Sequence, residues 1–429
     1  FYHPAIHGVN MSDSCDLEAK RLLTVDEALA RIKFAVKPVM TAERVTLIAA
    51  LGRVLSEDIL SPINLPYDRN SAMDGYALAS KEFIANQPFT LNLAGTAWAG
   101  KPFQGLLKAG QCVRIFTGAV VPDGTDSVVI QEQVKVDGER ITFPADTKAY
   151  QNIREAGEDI EQGASLCPKH KRLRPADLGL LAAAGIADVP VYRRLNIAYF
   201  STGDELVGLG QPLEPGKIYD SNRYALAGLL SDPCYNMVDM GVIPDDKQLL
   251  EATLKQAAET NDVIITTGGA SVGDADYIKE ILESCGEVKF WKIAIKPGKP
   301  LAFGKIGQCY FFGLPGNPVS VMVTFHQIVA PTLKLLSGSL DDKPLRLLAT
   351  CTSDLKKAPG RQEFQRGVLT QDADGDFLVA TTGPQGSNII SSMSLSNCYI
   401  VLSAECKGIS KGEKVWVEPF GVFFNYAKP

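Results

Sequence analysis

Histidine and paired cysteine, on which many catalytic and metal sites are built, are scarce in this chain of 429 residues. Two of its four histidines are His3 and His7, so a Ser-His-Asp triad or a histidine-ligated metal has little material. The nine cysteines are scattered singly without a CxxC pair. This excludes a disulfide framework and a zinc knuckle, and it predicts a reducing cytoplasm. We therefore expect any chemistry to use carboxylates, lysines and backbone amides.

Long apolar runs and excess positive charge are also lacking. No run approaches the length of a membrane span, and a net charge of −6 argues against general nucleic-acid binding. Residues 1–10 lack the features of a signal peptide, and we expect them to be a vector-derived remnant before a native start at Met11. The length predicts roughly two to four domains.

The hydrophobic pattern predicts a multidomain α/β protein. Helical spacing predicts helices at 25–36 and at about 41–52. Short β-rich segments between about 63 and 160 predict an inserted β domain. From 195, strands and helices alternate, which predicts a three-layer α/β domain with a largely parallel sheet and ligands at the carboxyl ends of its strands. From about 344, short strands predict a small β-barrel or sandwich.

The segment TTGGASVGDADY, residues 266–277, follows an apolar strand and precedes a charged segment. Its three glycines and Ser271 would offer amides and a hydroxyl to an anion, but it matches neither common nucleotide fingerprint. Asp274 and Asp276 would repel a phosphate unless a divalent cation such as Mg²⁺ lay between them. The alternative is a tight turn in which Asp274 caps the next helix.

Acidic residues follow two further predicted strands. STGDEL carries Asp204 and Glu205, and Asp245-Asp246 follows MVDMGVI. Acids that converge from three strand ends would suit a divalent cation. The alternatives are acids attracted to helix N-termini, and an N-cap at Asp245-Asp246.

In the segment KIAIKPGKP, residues 292–300, Lys296 and Lys299 are each followed directly by a proline. A polyproline-like path would point Lys296 and Lys299 to the same side. Two ammonium groups held together repel each other unless an anion binds, so the segment predicts a second anion site; the alternative is a solvated loop. The loop FGLPGNPVS, residues 312–320, ends at Ser320, where a helix is expected to begin. Separately, Asp74 precedes Gly75, and Asp-Gly is an ordinary turn signal.

Seven segments in this order resemble the MoeA family, the molybdopterin molybdenumtransferases, to which the gephyrin E domain is related: NSAMDGYA, RIFTGAVVP, GEDI, STGDEL, TTGGASVGDADY, KIAIKPGKPLAFG and FGLPGNPVS. The resemblance extends from about Leu23 to Phe420. It implies an L-shaped homodimer with the active site at the subunit interface. Its four domains would be the molybdopterin-binding α/β domain (20–37 plus 190–340), a linking domain (38–62 plus 161–189), the inserted β-rich domain (63–160) and a C-terminal β-barrel (344–429).

The family inserts molybdate into adenylylated molybdopterin, cleaves the adenylate with Mg²⁺ or another divalent cation, and releases AMP and the molybdenum cofactor. The resemblance implies functional acids at Asp74, Asp159, Asp204, Glu205, Asp245 and Asp276. It implies metal ligands among Asp204, Glu205, Asp274 and Asp276. The pterin phosphate and adenylate would bind at Gly268, Gly269, Ser271 and Gly273, and molybdate at Lys296, Lys299, Ser320, Arg361 and Ser387. Further substrate-binding positions would be Thr117, Lys292, Pro315 and Pro318.

Two other functions remain open at this point. A molybdopterin adenylyltransferase shares the α/β domain, but it would not need the inserted β domain or the barrel. A gephyrin-like scaffold would need only the fold. The acids and lysines of the motifs are intact, which favours an enzyme over a non-catalytic scaffold. The expected partners are the two substrates, a second subunit and an adenylyltransferase that hands over the pterin, with no nucleic acid and no membrane.

Overall fold

A computed structural model describes residues 22–84, 86–268, 281–282, 284–340 and 344–421. They fall into two compact units. Unit 1 holds the described residues up to Glu43, the short piece Gly52–Val54, and the described residues from Tyr192 onward. Unit 2 holds Arg44–Leu51 and Leu55–Val191.

The helices with described bounds are α1 (Val25–Ala35), α2 (Pro175–Ala183), α3 (Ser221–Leu229), α4 (Lys247–Thr260), α5 (Pro318–Thr324), α6 (Ala330–Leu336) and α7 (Ser391–Ser394). A π-helical turn, Phe325–Val329, joins α5 to α6. Short 3₁₀ turns occur at Ile48–Ala50, Ser80–Glu82 and Gln131–Gln133.

The strands of the amino-terminal half are β1 (Ala42–Thr46), β2 (Ile59–Leu60), β3 (Asn70–Ser71), β4 (Gly75–Leu78), β5 (Phe89–Ala97), β6 (Gln111–Ile115), β7 (Ser127–Ile130), β8 (Lys135–Asp137), β9 (Arg140–Phe143), β10 (Ile153–Arg154), β11 (Ser165–Cys167) and β12 (Asp188–Tyr192). Those that follow are β13 (Leu195–Thr202), β14 (Leu206–Val207), β15 (Ile218–Tyr219), β16 (Tyr235–Ile243), β17 (Val263–Thr267), β18 (Gly286–Lys292), β19 (Ile295–Lys296), β20 (Pro300–Ile306), β21 (Cys309–Leu314), β22 (Leu347–Cys351), β23 (Gln362–Gln371), β24 (Phe377–Thr381), β25 (Cys398–Leu402) and β26 (Lys414–Pro419).

The largest sheet of unit 1 has the strand order β16-β13-β17-β21-β20-β18. The pairings β13–β16, β13–β17 and β17–β21 are parallel, and those at the β18 edge are antiparallel. Alternate residues of β13 enter two separate cores: Ile197 packs in a cluster with α1, α3, α5 and α6, and Ala198 in a cluster with α4. Since side chains alternate along a strand, the sheet buries both faces beneath helices.

The predicted helix at 25–36 is confirmed as α1. Thr24 is its N-cap, and Thr24 and Glu27 form a capping box in which each side chain accepts from the other's backbone amide. The helix predicted at about 41–52 is wrong, because this segment forms β1 and a short 3₁₀ turn. Its β-branched residues Val45 and Thr46 suit a strand, and pairing with β12 overrides the weak helical spacing.

The carboxyl-terminal part of unit 1 is a closed barrel. Its strands follow the order β23-β24-β22-β26-β25, and the pairing of β25 with β23 closes the ring. The barrel predicted for this region is therefore confirmed. Strand β19, which carries Lys296, joins the barrel by parallel pairing with β23, so the lysine segment is attached to the barrel.

Unit 2 contains a six-stranded sheet of order β7-β4-β6-β5-β9-β8. All of its strands lie between Gly75 and Phe143, inside the segment that the sequence marks as β-rich. A second core in this unit contains Leu173, Leu181 and Val189, around helix α2.

By length and composition alone, the helical stretch Pro318–Leu336 could cross a membrane. Because most of it is buried inside the fold, as in the core helix of a globular domain, it is weak evidence for a membrane span.

Candidate functional site

Three loops leave adjacent parallel strands of unit 1 at one edge of the sheet. The register sets Ser201 of β13 opposite Thr267 of β17, and β17 pairs in parallel with β21. A Cβ built on Gly268 would lie only 2.3 Å from the carbonyl oxygen of Thr202. A Cβ built on Gly316 would lie 4.0 Å from the Gly268 Cα. The loops after β13, β17 and β21 therefore meet, as expected for strand ends in such a sheet.

Position 268 tolerates only glycine, for two reasons. Its φ is +88°, in the left-handed region, and any side chain would collide with the backbone of Thr202. The rest of the predicted anion-binding loop lies outside the described residues: Gly269, Ser271, Gly273, Asp274 and Asp276.

A buried carboxylate links the ends of two of these strands through hydrogen bonds. Asp220 is 2% exposed and accepts a hydrogen bond from the Ser201 hydroxyl at 3.0 Å. The hydroxyls of Ser201 and Thr267 lie 3.0 Å apart. Asp220 also caps α3, because it accepts from the Arg223 amide at 3.2 Å, and the Arg223 guanidinium pairs with it at 3.2 Å. The network holds the ends of β13 and β17 and the start of α3 in fixed positions.

Two buried oxygen atoms beside these loops have no hydrogen-bond partner among the described residues: Thr202 Oγ1 and Asn222 Oδ1. Asn222 Nδ2 donates to the carbonyl of Gly316 at 2.7 Å, so this side chain already braces the loop after β21. An unpaired buried polar atom costs about 1–3 kcal/mol, and a bound ligand that reaches it removes that cost. Neither Asp220 nor Asn222 was a candidate from sequence, although an aspartate directly before the helical segment that starts at Ser221 is an N-cap signal for Asp220.

The acids predicted after β13 and β16 come together in unit 1. Asp204 Oδ1 accepts from the backbone amide of Asp245 at 3.2 Å, and both residues are exposed. Glu205 folds over Gly203, where a Cβ would lie 2.4 Å from its Oε2. The loop continues into strand β14 rather than a helix, so the helix N-terminus alternative for STGDEL is wrong. Asp246 is the N-cap of α4 and accepts from the Leu249 amide at 2.8 Å, which confirms the cap alternative for that residue.

These acids supply oxygen donors only. Within the described part of the chain, no group of three or more His, Cys, Asp or Glu side chains could hold a metal ion. Mg²⁺ usually retains several waters and takes one or two carboxylates together with substrate phosphates. Exposed carboxylates on loops at one edge of the sheet fit such an open site, and they do not fit a closed protein cage.

The lysine segment lies between helix α5 and the barrel. Gly298 has a φ of +109°, so the predicted polyproline path of Lys296 and Lys299 is wrong. A Cβ on Gly298 would lie 2.4 Å from Thr324 Oγ1 and 3.5 Å from the Ser320 carbonyl oxygen, which shows that the segment rests directly on α5. The ammonium of Lys296 pairs with Glu363 at 3.2 Å. One lysine of the pair therefore already has a protein counter-charge.

Other residues expected at molybdate lie around the same segment. The Arg361 guanidinium donates to the Ile295 carbonyl at 3.5 Å, next to Lys296. The Ser387 carbonyl accepts from the Val319 amide at 3.2 Å, beside buried Ser320 in the first turn of α5.

The remaining expected positions lie nearby along the chain. Pro315 is buried after β21, and Pro318 is the first residue of α5. Lys292 and Lys299 are exposed at the facing ends of β18 and β20, where the Lys299 carbonyl accepts from the Ile293 amide at 2.7 Å.

Asp74 and Thr117 form a separate site in unit 2. One carboxylate oxygen of Asp74 accepts from the Thr117 amide at 2.8 Å and from the Thr117 hydroxyl at 2.7 Å. These two hydrogen bonds and the charge of Arg114 hold the pKa of Asp74 below its ordinary value. Asp159 is exposed in the same unit, where its amide donates to the Leu65 carbonyl at 3.0 Å.

Comparison with family models divides the chain into three parts. The MoeA N-terminal region (domain I and II) matches residues 23–185, the probable molybdopterin binding domain matches residues 198–335, and the MoeA C-terminal region (domain IV) matches residues 349–420. The strand-end site thus lies in a domain of the molybdopterin-binding class.

Full-length relatives agree. The chain is 45% identical over 401 residues to the molybdopterin molybdenumtransferase of Haemophilus influenzae, across 93% of this chain and 99% of the relative. It is 36% identical over 384 residues to the protein of that name from Nostoc sp., across 87% of this chain and 88% of the relative. The crystal structure of the molybdopterin biosynthesis MoeA protein of Pyrococcus horikoshii OT3 matches with a TM-score of 0.81 and 29% identity, across 93% of this chain and 100% of that one. The chain belongs to the molybdopterin molybdenumtransferase (MoeA) family, which confirms the resemblance seen in the sequence.

Proposed function

We propose that the protein inserts molybdenum from molybdate into adenylylated molybdopterin, and that AMP and the molybdenum cofactor are released. The observation that carries this proposal is the combination, within unit 1, of a glycine-lined strand-end site with the lysine segment, which holds Lys296 and is contacted by Arg361. The first suits a phosphorylated pterin and the second a tetrahedral dianion. The names of the relatives, molybdopterin molybdenumtransferase, support the same transfer.

The pterin phosphate and adenylate bind at the loops after β13, β17 and β21. Gly268 lets the backbone approach a ligand closely. Gly269, Ser271 and Gly273 of the same loop, which lie outside the described residues, would add amides and a hydroxyl. Two buried oxygens without a partner among the described residues support the proposal: Thr202 Oγ1 at the end of β13, and Oδ1 of Asn222, whose amide nitrogen donates to the loop after β21.

Molybdate, the second substrate, binds at the lysine segment. Lys296, Lys299 and Arg361 supply positive charge, and the hydroxyls of Ser320 and Ser387 can donate hydrogen bonds to its oxygens. The gain is proximity, because a bound oxyanion held beside the pterin no longer has to be captured from solution. No protein nucleophile is required.

A divalent cation, Mg²⁺ or another, would be held by Asp204 and Glu205 together with Asp274 and Asp276. When bound, it supplies Lewis-acid stabilisation of the charge that develops on the leaving phosphate. The Asp245 amide, which donates to Asp204, orients that carboxylate.

We further propose a homodimer in which Asp74, Thr117 and Asp159 reach the active site from the partner subunit. An adenylyltransferase would hand over the adenylylated pterin, and neither nucleic acid nor a membrane takes part. The protein would work in the cytoplasm, where its cysteines stay reduced. In unit 1, the large sheet and the helices on its two faces would together form the three layers of the α/β domain.

The direct test is AMP release. Purified protein is mixed with adenylylated molybdopterin, molybdate and Mg²⁺, and AMP is measured by chromatography, with molybdate omitted as the control. Molybdate-dependent release supports the proposal. Formation of adenylylated pterin from molybdopterin and ATP would instead support the adenylyltransferase alternative, and the absence of both reactions would leave a scaffold role.

A further inference from the structure

A buried glutamate lies against one of the proposed molybdate lysines. In the parallel pairing of β19 with β23, Glu363 is opposite Lys296, and the ammonium lies 3.2 Å from Glu363 Oε1. The Glu363 side chain is 5% exposed and the Lys296 side chain 46%. The ammonium therefore stands between a buried carboxylate and solvent.

The barrel fixes the position of this carboxylate. Gln365, which is 3% exposed, donates through Nε2 to Glu363 Oε1 at 3.1 Å and to the Lys356 carbonyl at 2.9 Å. Arg361 directly precedes β23, two residues before Glu363, and its guanidinium donates to the Ile295 carbonyl at 3.5 Å, next to Lys296. The barrel strand thus presents a cation and a buried acid to the lysine segment together.

Stability alone is a poor reason for this arrangement. A half-exposed ion pair contributes little to folding, and a buried carboxylate has a desolvation cost that its partner only partly offsets. What the pair does achieve is orientation, because a lysine side chain otherwise samples many rotamers.

We propose that Glu363 is a positioning residue for the oxyanion: it holds the Lys296 ammonium at the place where molybdate binds. The proposal rests on the proposed function, since it assigns the oxyanion to this segment. Glu363 itself does not touch the substrate. Molybdate would share the ammonium with the carboxylate, as the oriented cation has donors left for a second acceptor.

Removal of the carboxylate has two opposite effects. The dianion would feel less repulsion, but Lys296 would lose its fixed position. Because the acid is buried behind the ammonium, we expect the loss of position to dominate.

The test uses Glu363→Gln, which keeps the shape and an acceptor for Gln365 but removes the charge. We expect the molybdate concentration for half-maximal AMP release to rise about tenfold, with kcat at saturating molybdate unchanged. Glu363→Asp keeps the charge and should recover part of the loss. The matched control is Glu418→Gln, which removes another buried barrel carboxylate, one that is paired with Arg346 at 2.8 Å and with Gln327 at 2.7 Å. It should lower the unfolding temperature without any change in molybdate dependence.

Equilibrium binding of molybdate to the pterin-free protein separates the two proposals. If the wild type binds molybdate but releases no AMP, the proposed function is refuted, and the Glu363 proposal is decided by binding alone. Equal or tighter binding in Glu363→Gln would overturn it, as would an equal loss in Glu418→Gln. A wild type that binds no molybdate would refute both proposals.

Discussion

A methyl group at Gly298 tests whether the lysine segment must rest closely on helix α5. The residue has a φ of +109°, and a Cβ there would lie 2.4 Å from Thr324 Oγ1. Thr324 is fully buried, and its β-branched side chain has little rotamer freedom. We therefore expect Gly298→Ala to push the segment away from α5 rather than to displace the threonine.

The loss of folding free energy expected for Gly298→Ala has two parts. A non-glycine residue in the left-handed region costs about 1–2 kcal/mol, and overpacking of a buried contact adds about 1–3 kcal/mol. Gly307→Ala is a matched control: Gly307 has a φ of +60° in the turn between β20 and β21, and nothing lies within 4 Å of its Cβ position. Only the first part applies to it, so the difference between the variants isolates the close approach.

Thermal unfolding and a molybdate titration are the assays. We expect Gly298→Ala to lower the unfolding temperature of unit 1 by about 4–10 °C and Gly307→Ala by about 2–4 °C. Gly298→Ala alone should raise the molybdate concentration for half-maximal AMP release, because only it displaces Lys296. If the two variants behaved alike in both assays, the close packing of the segment on α5 would have no role in molybdate binding.

Three further outcomes are expected. Lys296→Ala should raise the half-saturating molybdate concentration about tenfold while pterin affinity is kept; an unchanged titration would count against the cationic site. Asp276→Asn, outside the described residues, should bind adenylylated pterin but fail to release AMP with molybdate and Mg²⁺, whereas a wild-type rate would remove its metal role. Thr117→Val removes a hydroxyl donor and keeps the amide, so the pKa of Asp74 should rise only part of the way to its ordinary value of 3.8. An NMR titration of the Asp74 carboxyl would measure it, and an unmoved pKa would show that the hydroxyl is unimportant.

The sequence predicted the parts of the fold that depend on local pattern. The run Val263–Thr267 is uniformly apolar up to its threonines and forms a buried central strand, as parallel strands do. The capping box at Thr24 likewise marks the start of α1 where the spacing predicts it. The prediction of a helix at 41–52 was wrong because the apolar residues of this segment fit a helix only weakly. Its strand, β1, pairs with β12, which comes far later in the chain. The local sequence pattern does not show which distant strand a segment will pair with.

The same limit applies to the site. Asp204 and Asp245 were expected together because strand ends of one sheet converge, and the structure joins them through a hydrogen bond. The contact of Lys296 with Glu363 could not be anticipated, since it depends on β19 leaving the α/β fold to pair with a barrel strand. The only sequence signal for Glu363 was its place two residues after Arg361.

This contact changes the argument for an anion. From sequence, two lysines held together demanded a counter-charge, and an oxyanion was the natural source. The protein supplies that charge for Lys296 itself, so repulsion between lysines no longer requires a ligand. The stronger argument is that residues from distant parts of the chain contact the lysine segment and the helix on which it rests. Arg361 donates to the Ile295 carbonyl next to Lys296, and the Ser387 carbonyl accepts from the Val319 amide beside Ser320. Ammonium, guanidinium and hydroxyl groups on neighbouring elements are the donors that a tetrahedral oxyanion needs.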